Sequence, residues 1–338
     1  MATYRELQGF NIEVLSTDPS NPIQGQIWYN TTAGKLKLAE PGSWSSQAST
    51  TRTGIGSTGA GTTTAAVFTA GKTSGPGSPP VVTQPYTEEY DGSVWTNSND
   101  QLIARRHCGS GGGTQTAGIV CGGYGPPSAS LNNNLGLYDG TSWTTGSTMP
   151  LYMGNQFNAQ SGTQTAFYTT GVGSSPGSPP HTPQTTLELN GTTWSSTNPL
   201  SRSPVTYNGG AAGTQTAGLA FGGSATAYSE SYDGDSWTAT SALTTPTGSC
   251  SGSGTQTAAI MAGGYTSGYP TVCNTFNGSA WSTIDTLPSG RERAAACGQA
   301  GNMLLAGGSK DVTDVCDFTC VEYSDPTLKN VTTEAGRP

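Results

Sequence analysis

Few side chains in this sequence could do chemistry, and none of them forms a complete catalytic set. The two histidines, His107 and His181, stand at non-equivalent positions, one on a strand of small residues read as Arg105 to Gly111, the first strand (strand a) of its repeat, and one in a Pro-rich loop. A copper-radical centre needs two histidine ligands and a Tyr–Cys cross-link, so both read as ordinary polar residues. Arg106, Arg202, Arg291 and Arg293 could supply an arginine triad for an acidic glycoside, but a Tyr/Glu nucleophile pair is also needed. Glu292 is the one glutamate near them. These arginines are therefore read as loop-bracing or salt-bridging groups, with glycan or carboxylate binding as the alternative. Asp233, Asp235, Asp311, Asp314 and Asp317 offer oxygen ligands, though not in the order of a calcium loop. No metal or cofactor is expected.

The seven cysteines (108, 121, 250, 273, 297, 316 and 320) include no C-x-x-C pair and read as reduced thiols filling small buried positions. Cys250 and Cys297 each precede a repeat glycine by four residues, which predicts equivalent positions in neighbouring repeats. Asn190 and Asn277 lie in N-x-S/T sequons, but they stand where sister repeats carry Asp, so a turn role is expected instead of glycosylation.

The elements that must position these groups are repeats. The string G-T-Q-T-A begins at Gly113, Gly162, Gly213 and Gly254, with G-T-T-T-A at Gly61 and an eroded copy, G-N-M-L-L-A, at Gly301. Successive copies are 41 to 52 residues apart, the spacing of stacked supersecondary units. Glycines follow most copies, then an Asp-Gly or Asn-Gly turn, then a tryptophan: Trp95, Trp143, Trp194, Trp237 and Trp281. Each unit divides into four short strands, a to d. Small residues on strand a suit the crowded axis where innermost strands converge, and bulkier ones on strand b fill the space between sheets. The prediction is all-β: a six-bladed β-propeller.

An open ring would leave its end strands unpaired. Trp44 precedes Gly61 by 17 residues, matching the 17 to 20 found in the complete repeats, yet no strand a, b or c comes before it. The last repeat has strands a (293–298), b (303–308) and c (316–323) but no following tryptophan. The N-terminal strand holding Trp44 is therefore expected to complete the last blade. K-L-K-L (Lys35 to Leu38) is the competing candidate for strand c there.

Residues 1–40 stand outside the repeat. Gly9 to Leu15 reads as a strand, Asp18 to Pro22 as a turn, and Gly25 to Asn30 with Lys35 to Leu38 as a β-hairpin. Domain bounds are thus 1–40 for an N-terminal extension, 41–325 for the propeller and 326–338 for a C-terminal tail. With a formal charge of −8 and a pI near 4.7, nucleic-acid binding has no electrostatic basis. No stretch approaches the roughly 20 apolar residues of a membrane span, and the opening M-A-T-Y-R-E-L-Q-G-F has no leader-like apolar core.

The double glycines, the aromatic before the turn and the tryptophan after it resemble kelch-type propellers over residues 43–325. The kelch arginine is matched at Arg106, Arg202 and Arg291 only. The D-G-x-S-W turns look like sialidase Asp-boxes but lack the residue between Asp and Gly. The G-T-Q-T-A repeats and D-P-S-N-P-I-Q-G-Q-I-W-Y-N-T-T-A-G-K-L-K (Asp18 to Lys37) are together similar to kelch-like virion proteins of tailed, especially marine, phages. That resemblance implies a non-enzymatic structural protein of the virion, assembled in the host cytoplasm. It also implies tail or capsid proteins as partners, host-surface glycans as a further one, and the option of a homo-oligomer. Phe10, Ile12, Val14, Ile27, Trp28 and Tyr29 would anchor it. The alternative is a lectin-like propeller using Tyr86, Tyr124, Tyr152, His181, Arg106 and Arg202, with a glycosidase or oxidase ranked below. The a–b and c–d turns are uniform, whereas the b–c loops of blades 1 to 3 (71–80, 123–134 and 171–183) are long. Long loops on a rigid scaffold are where binding is expected.

Overall fold

The computed structural model describes residues 12–19, 26–39, 42–52, 54–73, 82–108, 111–125, 130–152, 159–171, 185–201, 209–310, 319–324 and 328–330. The expected site residues Phe10, His181 and Arg202, together with Cys316, Asp311, Asp314 and Asp317, lie outside them. The chain forms two compact units, Trp44–Tyr323 and a smaller one made of Met1–Ser43 with Ser324–Pro338. Among the described residues there are strands and no helix, so no helix is long and apolar enough to cross a membrane.

In the larger unit the repeat builds four-stranded antiparallel sheets, giving a propeller-like all-β fold. Sheet 1 takes Thr58–Thr62, Ala65–Thr69, Thr87–Tyr90 and Trp95–Asn97; sheet 2 takes Gly112–Thr114, Ala117–Cys121, Leu135–Tyr138 and Trp143–Thr145. Sheet 3 takes Ala159–Thr163, Ala166–Thr170, Thr186–Leu189 and Trp194–Thr197; sheet 4 takes Gly209–Thr214, Ala217–Gly222, Ser229–Tyr232 and Trp237–Ala239. Sheet 5 takes Ser251–Gly254, Ala259–Ala262, Cys273–Phe276 and Trp281–Thr283. In sheet 6, Ala295–Gln299, Asn302–Ala306 and Cys320–Ser324 are followed in the hydrogen-bonded order by Ser43–Gln47, the strand holding Trp44. K-L-K-L does not take part, because Lys35–Ala39 pairs with Ile27–Asn30 instead. The first strands of successive sheets pack side by side, and that of sheet 6 packs against that of sheet 1.

Three features of each repeat explain this packing. The first glycine of G-T-Q-T-A ends strand a at φ of +88° to +127°, and a Cβ at Gly213 would lie 2.1 Å from the Ala217 carbonyl oxygen. Only glycine fits there. In the last repeat the glycine in that position is Gly298, at φ +112°, opposite Met303. The expected alignment on Gly301 is thus three residues out, and Cys297 is equivalent to Ser253, not to Cys250. The eroded turn misled because Gly301 precedes an apolar run just as the intact glycines do.

The glutamine of the turn is the second feature. Gln115 Nε2 donates to the Ala66 and Tyr90 carbonyls (3.1 and 3.0 Å), and Gln164 to those of Gly118 and Tyr138 (2.9 and 2.7 Å). Gln215 reaches Phe167 and Leu189, and Gln256 reaches Gly218 and Tyr232. In every case the two carbonyls belong to the second and third strands of the preceding sheet.

The third feature is the aromatic pair across the c–d turn. Tyr90, Tyr138, Tyr232 and Phe276 face Trp95, Trp143, Trp237 and Trp281 with ring centroids 4.7 to 5.0 Å apart. The tryptophans also bond backwards: Trp143 Nε1 to Thr87 Oγ1, Trp194 Nε1 to the Ser147 carbonyl and Trp237 Nε1 to Thr186 Oγ1. Trp281 Nε1 finds no acceptor. In the turn itself one Asx oxygen accepts two backbone N–H groups, as Asp139 does from Thr141 and Ser142 and Asn277 from Ser279 and Ala280. Asn190 and Asn277 therefore do the work of Asp at this position. Hydrogen bonds from Val94, Ser142 and Ser236 N–H groups lead the causes that lower the pKa values of Asp91, Asp139 and Asp233.

In the smaller unit Glu13–Leu15 runs parallel to Ile27–Asn30, which forms the expected hairpin with Lys35–Ala39. Leu328–Asn330, within the expected C-terminal tail, adds to the far edge as a fourth strand. Asp18 Oδ1 accepts from Asn30 Nδ2 (2.7 Å) and Trp28 Nε1 (2.9 Å), the two largest causes of its lowered pKa.

The glutamine contact yields a stability prediction. Gln164→Ala strands two partly buried carbonyls and is expected to cost about 2 kcal/mol in urea unfolding. The exposed Gln299, at the eroded turn, should tolerate Ala within about 0.5 kcal/mol. Equal effects would contradict the assignment of the turn glutamine as an inter-sheet contact.

Candidate functional site

The c–d turns of sheets 1 to 5 share one Asx hydrogen-bond pattern, and the a–b turns that keep G-T-Q-T-A look alike. The opposite rim, where the b–c and d–a connections meet, carries the variation. Here one residue in each of four repeats takes a left-handed backbone just before strand a: Gly56 (φ +72°), His107 (+55°), Ser249 (+53°) and Arg293 (+58°). They are joined through the backbone. Arg293 N donates to the Ser249 carbonyl, Gly56 N to that of Arg293 and His107 N to that of Gly56, all at 2.9 to 3.0 Å. Left-handed backbone at non-glycine residues costs energy and collects at functional positions.

These bonds gather charge. Lys72 exchanges backbone bonds with Ile55, next to Gly56, and sits opposite Thr83 in a short two-stranded ribbon. Arg106 Nη1 reaches Thr83 Oγ1 at 3.4 Å, which sets its guanidinium over the same ribbon. The Gly56 position is bare because a Cβ there would fall 2.3 Å from His107 Cδ2. The imidazole also meets the Tyr124 ring edge-on, 6.1 Å between centroids. Arg293 Nη1 lies 3.4 Å from Glu292 Oε1. Lys72 and His107 are 5% and 9% exposed, so these groups sit in the wall of the rim and not on its crest. Burial first, then the charges of Arg293, Arg106 and Lys72, hold the His107 imidazole well below its ordinary 6.5.

Two further arginines at this rim are structural. Arg105 and Arg291 each follow a strand-d tryptophan by ten residues, and both are 2% exposed. Arg105 Nη1 donates to the Asn134 carbonyl at 3.0 Å, and Arg291 Nη1 to that of Thr319 at 2.9 Å. The equivalent of Arg291 is thus Arg105, not Arg106 as the sequence alignment has it. Arg106 is equivalent to Glu292, and His107 to Arg293. His107 also precedes strand a, which begins at Gly112, instead of lying on it.

Of the expected binding residues, Arg106 and Tyr124 come together at this rim, with their backbones bridged. Tyr86 lies apart under the Arg52 guanidinium, 4.0 Å from its centroid, and Arg52 is in turn held by Asp100 at 2.8 Å. Tyr152 is 52% exposed. Lys72 was missed as a site residue, while His107 and Arg293 were weighed singly and not placed together. Stacking the d–a loops at a fixed ten residues past each tryptophan would have set Arg-Arg-His over Arg-Glu-Arg and exposed the cluster.

The first strands enclose a cavity of about 150 Å³ lined by small residues such as Gly59, Gly112, Ser161 and Ala212. No group of three His, Cys, Asp or Glu side chains among the described residues could hold a metal. The six described cysteines are buried and outside any disulfide, and burial pushes the thiols of Cys108, Cys250, Cys273 and Cys320 up to about 12. They fill space, as small buried thiols do. Of the expected anchoring residues, Ile12, Val14, Ile27 and Tyr29 are exposed. Trp28 is fully buried and bonded to Asp18, so it braces the hairpin and is not a free contact residue.

No protein-family model and no curated protein matches the sequence. Among solved structures, one titled "Structure of YjhT" is similar, with a TM-score of 0.64 at 13% identity over 83% of this chain and 99% of that one. At that identity the likeness concerns the fold alone.

The rim histidine gives a pH prediction. The folded value of His107 lies below the unfolded one, so below about pH 6.5 the unfolded chain takes up a proton that the folded chain refuses. Stability should therefore fall on acidification, by up to about 1.4 kcal/mol per pH unit from this residue. In His107→Asn, which tolerates the left-handed backbone, the loss between pH 7 and pH 5 should shrink. An unchanged loss in urea midpoints would rule out His107 as its source.

Proposed function

We propose that this chain is a six-bladed, kelch-like β-propeller closed by its N-terminal strand, and that it acts as a non-enzymatic structural and contact protein of a phage particle. The ring order of the first strands and the place of Ser43–Gln47 beside Cys320–Ser324 support the closed six-bladed reading. The virion setting rests on the resemblance of the Asp18 to Lys37 segment and the G-T-Q-T-A repeats. In this reading residues before 43 attach to a tail or capsid protein, and the variable rim meets a neighbouring virion protein or a host-surface glycan.

One observation carries the attachment reading. Val14 and Tyr29 are register partners, Ile27 lies two residues along the same face, and all three are 40% exposed or more. Apolar side chains grouped on one face of a small sheet mark a contact surface more than they serve that sheet's own stability. A lectin-like role is favoured as a second reading by Tyr124, His107 and Arg106 meeting at one rim.

Mass spectrometry of gradient-purified particles should find the full chain. A chain lacking residues 1–40 should keep the unfolding midpoint of the propeller yet be absent from particles. Particles without the full chain, or with the truncated one retained, would defeat the proposal.

A further inference from the structure

Of the five Asx-Gly turns that join strands c and d, three carry Asp (Asp91, Asp139 and Asp233) and two carry Asn. We infer that Asn190 and Asn277 are sites of spontaneous deamidation, which turns the Asn-Gly corners of sheets 3 and 5 into the Asp-Gly corners of their sister repeats. The chemistry needs only water. The Gly191 nitrogen attacks Asn190 Cγ, its proton leaves with the side-chain nitrogen as ammonia, and a cyclic imide forms. Water then opens the imide, its hydroxyl going to Cγ and its other proton back to the glycine nitrogen. One water is consumed and one ammonia lost, and a carboxyl group stands where the amide was. Gly278 and Asn277 react in the same way.

The turn presents each participant. Asn190 Oδ1 accepts from the N–H groups of Thr192 (3.2 Å) and Thr193 (2.9 Å) and from both threonine hydroxyls (3.3 and 3.1 Å). Asn277 Oδ1 accepts from Ser279 N (3.0 Å), Ser279 Oγ (2.9 Å) and Ala280 N (2.9 Å). Donors aimed at a carbonyl oxygen stabilise the negative charge it gains when its carbon is attacked. The attacking nitrogens are unengaged, since neither Gly191 nor Gly278 donates to an acceptor among the described residues. Being glycines, they also place no side chain in the way of Cγ. Both asparagines are exposed, so ammonia leaves directly into water.

The fold also selects the product. Water can open the imide at either carbonyl, and the other opening gives isoaspartate, which routes the main chain through the side-chain carbon. That lengthens the turn by one atom. Leu189 and Trp194 are register partners across one turn, as are Phe276 and Trp281 across the other, with rings 5.0 Å apart, and a longer turn would pull both pairs out of register. Asp keeps every bond of the turn, and N–H donors favour a charged acceptor over a neutral one. Backbone hydrogen bonds, those from Val94, Ser142 and Ser236 first, hold Asp91, Asp139 and Asp233 below the ordinary carboxylate range. An ionised carboxylate resists the attack that an amide accepts, so conversion stops at Asp.

The test ages the full folded chain in mildly alkaline buffer and follows each asparagine by peptide mapping, with chromatography that separates Asp from isoaspartate. Asn190 and Asn277 should convert at least about tenfold faster than the exposed Asn97, which precedes Ser98. Asp should be the main product in the folded chain, and the share of isoaspartate should rise when the same chain is aged in urea. Asn190→Asp and Asn277→Asp should each keep or raise the urea midpoint, and on ion exchange each should run with the singly converted species of the aged chain. No conversion in the folded chain, or conversion no faster than at Asn97, would overturn the proposal. Isoaspartate as the main folded-state product, or a lowered midpoint in either variant, would overturn the claim that the turn is built to take Asp.

Discussion

Each G-T-Q-T-A glutamine holds two carbonyls of the sheet before it, and the order of the sheets depends on that contact. Apolar clusters do pack between the sheets, as Ile119 and Leu135 do against Phe167 and Leu187, but such burial is non-directional. Directional hydrogen bonds add a fixed register to it. Gln115, Gln164, Gln215 and Gln256 fasten sheets 1 to 5 in sequence, each along the same direction of the chain. The left-handed glycine that opens the turn lets the amide reach back, so glycine and glutamine act as one device.

At the two remaining junctions the turn has Ala300 or Thr63 in the glutamine position, and other groups substitute. Trp44 Nε1 donates to the Asp285 carbonyl, joining sheet 6 to sheet 5. Between sheets 6 and 1, Trp95 Nε1 donates to the Ala48 carbonyl, and the buried Glu88 accepts from Thr51 N (2.7 Å) and Arg52 N (3.0 Å). Phe68 and Tyr90 also share an apolar cluster there with Cys297 and Leu304. The Trp44 contact spans 241 residues, against 24 to 49 for the glutamine contacts.

Much of this was legible because repetition is a strong signal. Tryptophan spacing placed Trp44 in the last sheet, and Asn190 could be seen doing the work of Asp. The failures share a cause. Where a repeat has eroded, sequence resemblance picks the wrong glycine, as with Gly301 for Gly298, since φ is not written in the letters. Arg106 was mistaken for Arg105 because adjacent arginines differ only in which one finds carbonyls to bind. Lys72 and Arg293 were not placed together because they lie 221 residues apart in sequence, and their backbones bond the adjacent residues Ile55 and Gly56. The repeated turns belong to the scaffold, and the residues between strands d and a are where the repeats differ.

The proposed closed ring needs Ser43–Gln47 as the last strand of sheet 6, the sheet whose Arg293 carbonyl accepts from Gly56 N. Equilibrium unfolding of chains beginning at residue 41 and at residue 49 tests this directly. The account predicts that the first unfolds like the full propeller and that the second loses about 3 kcal/mol or more, having given up its last ladder and the Trp44 contact. Identical unfolding midpoints for the two chains would contradict it.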